Sequence, residues 1–551
     1  MSSPFVLSVK DPPFNATGDG HSNDTDAIQR AINAAQQHSV LAGANVGPTV
    51  YFPPGEYVVS DTLLLDTALC MNIEGSGAAS SIVGQIPYVP GARKPLFRFA
   101  STAGCALRRL GLTVVEPRYR CDGIHIETKL DYHLISTRLA IESVWMSGSG
   151  NIDDCVFIGG GLNANNDFHT VDNCTFQGYR RNAVHLDNSQ VYGIAISRTW
   201  AAGERMSVMA DFIKDSPVVK VPRDKFTADD VGMYVWPMST PIIPRLRRKI
   251  VAVTDATHVT LDESVDFTGT ACLQYGGQSS VRCDQGNFSW RDGGAGGNLF
   301  CDYSVSPNNS GANIIEGAIN EASRGLLYMN GPSAGGRKMT TLSNVRFSGD
   351  DLAAIYPYAI EWRTSSSLLV QNCHIGDPYC LRPTRILIDF GNSRFEDLQA
   401  AFINTTIDST EPTARIFDGY VPSEIINCKH TSGPTNSTES IGRAARYLGS
   451  LSGIQSLECG GWREIKLTLK DKLKFDAFKH MPVGEGTPIR LLVSYASDAR
   501  STTIIWPDNV IWPRGGAPAR GAQATIDVFE FWRGGGDIYG KVIGQGYTVR
   551  E

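Results

Sequence analysis

Reactive side chains crowd one stretch of this 551-residue chain, between residues 279 and 330. Asp284 follows Val281-Arg282-Cys283, Asp292 follows Trp290-Arg291, Asp302 precedes Tyr303, Glu316 follows Ile314-Ile315, and Glu321 stands just before Arg324. Paired carboxylates are the residue types that hydrolyse glycosidic bonds. One protonates the leaving oxygen while the other attacks or activates water, at about 5 Å separation for retention and about 6.5–9.5 Å for inversion. Trp290 and Tyr303, with Tyr328 and Trp362 beyond them, are of the kind that stacks on sugar rings or fills a core. A second set, Arg180, His185 and His169, carries what β-elimination from a uronate requires: a base for the proton beside the carboxylate and a cation to neutralise it. The expected catalytic residues are therefore Asp284, Asp302, Glu316 and Glu321. The expected substrate-binding residues are Asp187, His185, Arg180, Trp290, Asp292, Tyr303 and Arg324.

No cofactor or metal is expected. The 12 cysteines form no CxxC pair and no Cys/His set with zinc spacing, so they read as free buried thiols. No nucleophile elbow, Walker loop or dinucleotide fingerprint stands in the right context. The run Gly293–Gly297 lacks the Lys-Ser/Thr of a phosphate loop and reads as a flexible turn.

Acids so far apart in sequence need a framework that repeats. A short pattern recurs at roughly 20 to 30 residues, within the range of solenoid periods: Asp154-Cys155-Val156-Phe157, Asn173-Cys174-Thr175-Phe176, Arg198-Thr199-Trp200, Asn344-Val345-Arg346-Phe347, Asn372-Cys373-His374-Ile375, Asn404-Thr405-Thr406-Ile407 and Asn427-Cys428-Lys429-His430. It predicts a polar corner residue, then an inward small residue, then an inward apolar one. Between residues 204 and 278 the pattern gives way to alternating strands such as Val231 to Val235 and Lys249 to Val253, and a basic run from Arg245 to Lys249 could meet an acidic glycan. Excising that segment puts Asp187 about one coil before Asp284. Coils step by about 4.8 Å, so Asp187, Asp284, Asp302 and Glu316 or Glu321 form a ladder on one face.

The first sixty residues order these elements. Gly18-Asp19-Gly20 is a turn and Asn23 a candidate helix N-cap, with Asp26 three residues on. Ile28, Ala31, Ile32 and Ala35 make one apolar helical stripe. Thr49 to Phe52, Pro53-Pro54-Gly55 and Tyr57 to Val59 read as strand, tight turn, strand. The order Gly18-Asp19-Gly20, Asn23-Asp24-Thr25, Ala27-Ile28-Gln29 and Phe52-Pro53-Pro54-Gly55 resembles the opening of the pectate-lyase-like superfamily.

That resemblance implies an all-β fold: a right-handed parallel β-helix with a short N-terminal capping helix, an inserted small β-module and a C-terminal β-domain. The expected parts are a cap over 1–50, the first part of the β-helix over 51–203, the module over 204–278, the second part of the β-helix over 279–445, and a β-domain over 446–551, to which the resemblance gives a trimerisation role. The whole is similar to bacteriophage tailspike depolymerases. This implies a virion-tail protein, assembled in the host cytoplasm as a homotrimer with other tail proteins, that binds and cleaves bacterial surface polysaccharide. Hydrolysis is preferred, with β-elimination if the glycan is rich in uronate. A non-catalytic receptor-binding spike and a bacterial polysaccharide lyase are the alternatives.

Composition narrows the field. Hydrophobic residues make up 42% and charged residues 19%, a globular balance with ample core. The net charge of −6 with no basic patch argues against nucleic acid. No run of 18 apolar residues suggests a membrane span. The opening Met-Ser-Ser-Pro-Phe-Val-Leu lacks the basic and apolar regions of a signal peptide, so synthesis and assembly in the cytoplasm are expected.

Overall fold

The computed structural model describes residues 5–41, 47–129, 136–160, 165–188, 190–238, 247–296, 299–303, 312–323, 325–330, 339–349, 358–363, 366–376, 387–389, 400–408, 417–418, 424–432, 437–441, 445–459, 464–479, 484–501, 503–513, 517–518, 522–523, 525–534 and 537–548. Arg324 lies outside them.

Three columns of parallel strands build a β-helix. In the first, Ala140–Glu142, Thr170–Asp172, Ile194–Ser197, Phe288–Arg291 and Ala312–Glu316 stack in turn. In the second, the start of Thr175–Asp187, Trp200–Gly203, Gly294–Gly296 and Ile319–Ser323 do so. In the third, Asp122–Glu127, the end of Trp145–Gly159, the end of Thr175–Asp187, Ser279–Cys283, Leu299–Tyr303, Gly325–Asn330 and Tyr358–Arg363 do so. One continuous core fills the interior, because each strand turns alternate side chains inward.

The corner between the first two columns explains the sequence repeat. Asn173, Arg198, Asn344, Asn372, Asn404 and Asn427 all have φ between 48° and 55°, a left-handed conformation that asparagine tolerates better than most residues. Their amides also link successive coils: Asn427 Nδ2 donates to Asn404 Oδ1 at 2.9 Å and Asn404 Nδ2 to Asn372 Oδ1 at 3.2 Å. The cysteine or threonine that follows is buried, and Cys174 Sγ lies 3.3 Å from the Asp172 carbonyl. Asp154-Cys155 is not part of this corner, contrary to the expectation. It sits in the third column, where Asp154 pairs in register with Asn182 and is fully buried. Gly294–Gly296 is likewise no flexible turn. It is a second-column strand pressed onto Trp200, and a Cβ on Gly294 would come within 2.4 Å of that ring.

The start is closed by the helix Thr25–Leu41, which buries Ile28, Ala31, Ile32 and Ala35. The cap falls one residue later than read. The Asp24 carbonyl accepts from the Ile28 N–H, and the Asp24 carboxylate accepts from the Thr17 and Gly18 N–H groups, while Asn23 Oδ1 accepts from Thr25. Gly18 has φ of 61° with the Tyr57 ring against it, which leaves no room for a side chain. At the far end, Ser437–Ile441 pairs antiparallel with Cys428–Ser432 and ends the parallel stacking.

Between Trp200–Gly203 and Ser279–Cys283 the chain leaves the β-helix and forms a closed six-stranded barrel from Met206–Phe212, Val218–Lys220, Tyr234–Met238, Arg248–Asp255, His258–Leu261 and Gly269–Tyr275. The β-helix resumes as though uninterrupted, with Asn182 in register with Ser279. A separate sheet of long strands, Ala445–Glu458, Glu464–Lys479, Gly484–Tyr495, Thr525–Gly534 and Asp537–Thr548, carries the C-terminal core.

Candidate functional site

Outward positions of the third column line up across coils. Arg98, His125, Phe157, His185, Arg282, Asp302, Tyr328 and Glu361 are consecutive register partners. Two residues further along each strand, Asp187 and Asp284 extend past Leu186 and Cys283, which are themselves in register. This face, with the barrel laid against it, brings Asp187 and Asp284 together among the expected acids.

His185, Asp187 and Asp284 each offer a polar atom within 4.8 Å of the others. His185 Nε2 lies 3.0 Å from Asp284 Oδ2, and its Nδ1 lies 2.9 Å from Asp154 Oδ2. Arg282 Nε reaches both oxygens of Asp284, at 3.1 and 3.0 Å. Carboxylates only accept, so an imidazole with one at each ring nitrogen must donate from both and carry a positive charge. Burial pushes His185 down, but Asp154 and Asp284 outweigh it and the imidazole stands above its ordinary value. Burial likewise raises Asp284, but His185 and Arg282 more than offset this and hold it at about 2. Asp187 reaches solvent, yet the protein around its carboxyl pushes it up, and Asp284 adds to the rise while His185 opposes it. Two neighbouring carboxyls are thus driven in opposite directions. For His185 itself to ligate a cation it would first have to give up a ring proton and one of its two carboxylate contacts.

Behind this trio stand buried charges. Arg93 Nη2 donates to Asp154 at 2.7 Å and also binds Asp122, which accepts from His125 Nε2 at 2.8 Å. Arg120 and Arg180 converge on Asp230 of the barrel at 3.0 and 2.9 Å, with Asp153 beneath. The barrel grips again through Arg247, which pairs with buried Glu361 at 3.0 Å and lies 3.6 Å from the centre of the Tyr328 ring. The sequence offered no signal for the ion pairs of Asp154, Asp230 and Glu361, since their partners lie tens of residues away along the chain.

The remaining expected residues fall elsewhere. Asp302 is only 2% exposed, opposite Arg282, with its Oδ1 lacking a hydrogen-bond partner; it faces no solvent and cannot touch a polymer. Burial pushes its carboxyl up, against Arg282 and Arg247. Glu316 is in the first column, 3.5 Å from Arg291, and Glu321 is in the second, so neither shares the face. Asp292 is a left-handed corner residue with φ of 50°. Trp290, Tyr303 and Trp362 are core: Trp290 lies edge-on to Phe300, and Tyr303 packs against Phe288 and Trp362. Their strand positions point inward, which rules out stacking on a sugar. Arg180 is committed to Asp230. His169 is fully buried, its Nδ1 accepting from the Leu139 N–H and its Nε2 facing Asn166 Oδ1, so it serves structure and not a lyase reaction. The basic run is folded inward at Arg247 and is paired with Glu263 at Arg248, so these two side chains do not form a free cationic surface.

A family model described as rhamnogalacturonase A/epimerase, pectate lyase-like, matches residues 6–85. This segment is pectate-lyase-like. Over 53 residues the chain is 57% identical to alginate lyase 7 of Azotobacter vinelandii, which is 10% of this chain and 5% of that protein. Over 59 residues it is 52% identical to mannuronan C5-epimerase AlgE1 of the same organism, 11% of this chain and 4% of that protein. The matches span about a twentieth of those curated relatives. Among solved structures, the Dettilon tailspike protein gp208 aligns over 98% of this chain and 78% of its own, at 12% identity and a TM-score of 0.40. The pectate-lyase-like segment supplies the cap and the first coils. Asp154, His185, Asp187, Asp284 and Asp302 all lie beyond it.

Proposed function

We propose that this chain is a polysaccharide depolymerase of the bacteriophage tailspike kind, which hydrolyses a host surface glycan, capsule or O-antigen, on the face formed by Asp187 and Asp284. The observation that carries the reading is a pair of neighbouring carboxyls pushed apart in acidity, the solvent-facing Asp187 upward and Asp284 down to about 2. Such a split assigns roles: the raised acid gives its proton to the leaving oxygen, and the ionised one stabilises or attacks the positive sugar centre. Asp284 is held ionised and oriented by Arg282 and His185. A doubly donating His185 has no free lone pair to abstract a proton, which favours hydrolysis over β-elimination. In this reading the chain acts as a homotrimer on a virion tail, attached through other tail proteins, at the bacterial surface.

The test is incubation of the full chain with capsules and lipopolysaccharides from a host panel, following product size and ultraviolet absorbance. Shortening without new absorbance is expected. Shortening with the absorbance of an unsaturated uronate would make the reaction a lyase one. Binding without shortening would make the chain a non-catalytic receptor-binding spike.

A further inference from the structure

Beneath the proposed pair runs a line of alternating charge: Asp122, Arg93, Asp154, His185, Asp284, Arg282. Each of these side chains faces the next at 3.0 Å or less, and Asp122 and Asp154 are fully buried. Asp154 is saturated, accepting also from the Asn182 N–H and side-chain amide at 3.1 and 2.8 Å. It has no access to a polymer. Its link toward the proposed pair is the imidazole.

We infer that Asp154, seated by Arg93, is a positioning residue: through the doubly donating His185 it fixes the orientation and charge state of the Asp284 carboxylate. The inference rests on the proposed hydrolytic reading for its kinetic consequence, though not for its physical one. With Asp154 ionised, His185 Nδ1 donates to it, which aims Nε2 at Asp284; with the Asp284 carboxylate also ionised, the ring holds both protons and is charged. If the Asp154 carboxylate is removed, Nδ1 loses its anionic acceptor and its proton is held less tightly; the ring that has lost it keeps its remaining proton on Nε2, toward Asp284, but is neutral and no longer sets a cation beside the Asp284 carboxylate. The groups facing His185 are Asp154 and Phe157 from the coil before, Asp187 on its own strand, and Asp284 and Arg282 from the coil after. Arg93 and Arg181 stand behind Asp154.

The two upstream residues act on His185 with opposite signs, and this makes the idea testable. The full chain, labelled with 13C at the histidine Cε1 position, is titrated by NMR, with His185→Gln identifying the resonance. Asp154→Asn is expected to lower the His185 midpoint by about one unit or more. Arg93→Gln, which removes the cation competing for Asp154, is expected to raise it. On a cleaved glycan, Asp154→Asn should reduce kcat about tenfold or more with KM little changed. A midpoint that stays put in both variants, or moves the same way in both, overturns the inference. So does a midpoint that falls in Asp154→Asn while kcat on a cleaved glycan stays at the wild-type value. Should Asp154→Asn not fold, the upward shift in Arg93→Gln decides alone. If the wild type cleaves no glycan, the hydrolytic reading fails, while the two titrations still decide whether Asp154 governs His185.

Discussion

His185 Nε2 stands 3.0 Å from Asp284 Oδ2 across two stacked coils separated in sequence by an entire inserted barrel. The contact joins a cation held up by burial-resisting carboxylates to an anion held down by that same cation, so each residue's charge depends on the other. The behaviour of the site follows from it.

Loss of either acid of the pair should remove the reaction. Asp187→Asn and Asp284→Asn are each expected to lower kcat by about a hundredfold to ten-thousandfold. The folded state, monitored by circular dichroism, should be unchanged in Asp187→Asn because that carboxyl faces solvent. Size-exclusion analysis of digested glycan measures the effect. Near-normal activity in either variant would remove that residue from the site.

Glu316→Gln should do little. Its partner Arg291 is 55% exposed, and surface pairs of this kind contribute about 0–1 kcal/mol. Activity and thermal midpoint should both stay close to wild type. A large loss of activity would place the reaction on the first column instead of the third.

Stability should fall on the alkaline side. A raised histidine stabilises fully below its unfolded value, about 6.5, and that contribution fades as pH rises through its higher folded value. Asp284 works at the other end: its contribution is present above the ordinary value of 3.8 and is lost as pH falls toward about 2. Asp187 and Asp302, both raised, add to the decline as pH climbs through their own folded values. Comparing thermal unfolding of wild type and His185→Gln from pH 4 to pH 9 isolates the imidazole. The two curves should converge as pH rises; parallel curves would mean that His185 titrates alike folded and unfolded, and a wild type that loses ground as pH falls would mean that the ring is neutral in the fold.

The barrel should be energetically part of the β-helix. Arg247→Ala leaves Glu361 buried without this cation, a kind of loss that costs about 3–5 kcal/mol. Differential scanning calorimetry should show a clear drop in midpoint. A drop of less than one degree would mean that the barrel is held by other contacts.

The corner asparagines should prefer glycine to alanine. At Asn404, with φ of 48°, an ordinary side chain costs about 1–2 kcal/mol in the left-handed conformation. Asn404→Ala should therefore be less stable than Asn404→Gly in denaturant unfolding, the reverse of the order found in extended strand.

The sequence by itself determined the solenoid, its capped beginning and the interruption by a small β-module, which the structure closes into a barrel. These rest on local rules: a left-handed corner needs asparagine, an inward position needs a small or apolar side chain, and a helix start needs its cap. Hence Asn173, Cys174 and Phe176 announced a coil, and Gly18 announced a turn. The same locality misled where one pattern had two meanings. Trp290 and Tyr303 look like sugar platforms beside acids, but strand alternation turns them inward. Asp154 mimics a corner asparagine, yet lies in another column. Excising the insert already put Asp187 about one coil before Asp284; that Asp302 is buried and that Glu316 and Glu321 stand in other columns was decided only by the tertiary structure. Asp187 and Asp284 become neighbours because coils on either side of the barrel stack in register, and their acidities part because burial, Arg282 and a doubly bonded His185 act on them through space.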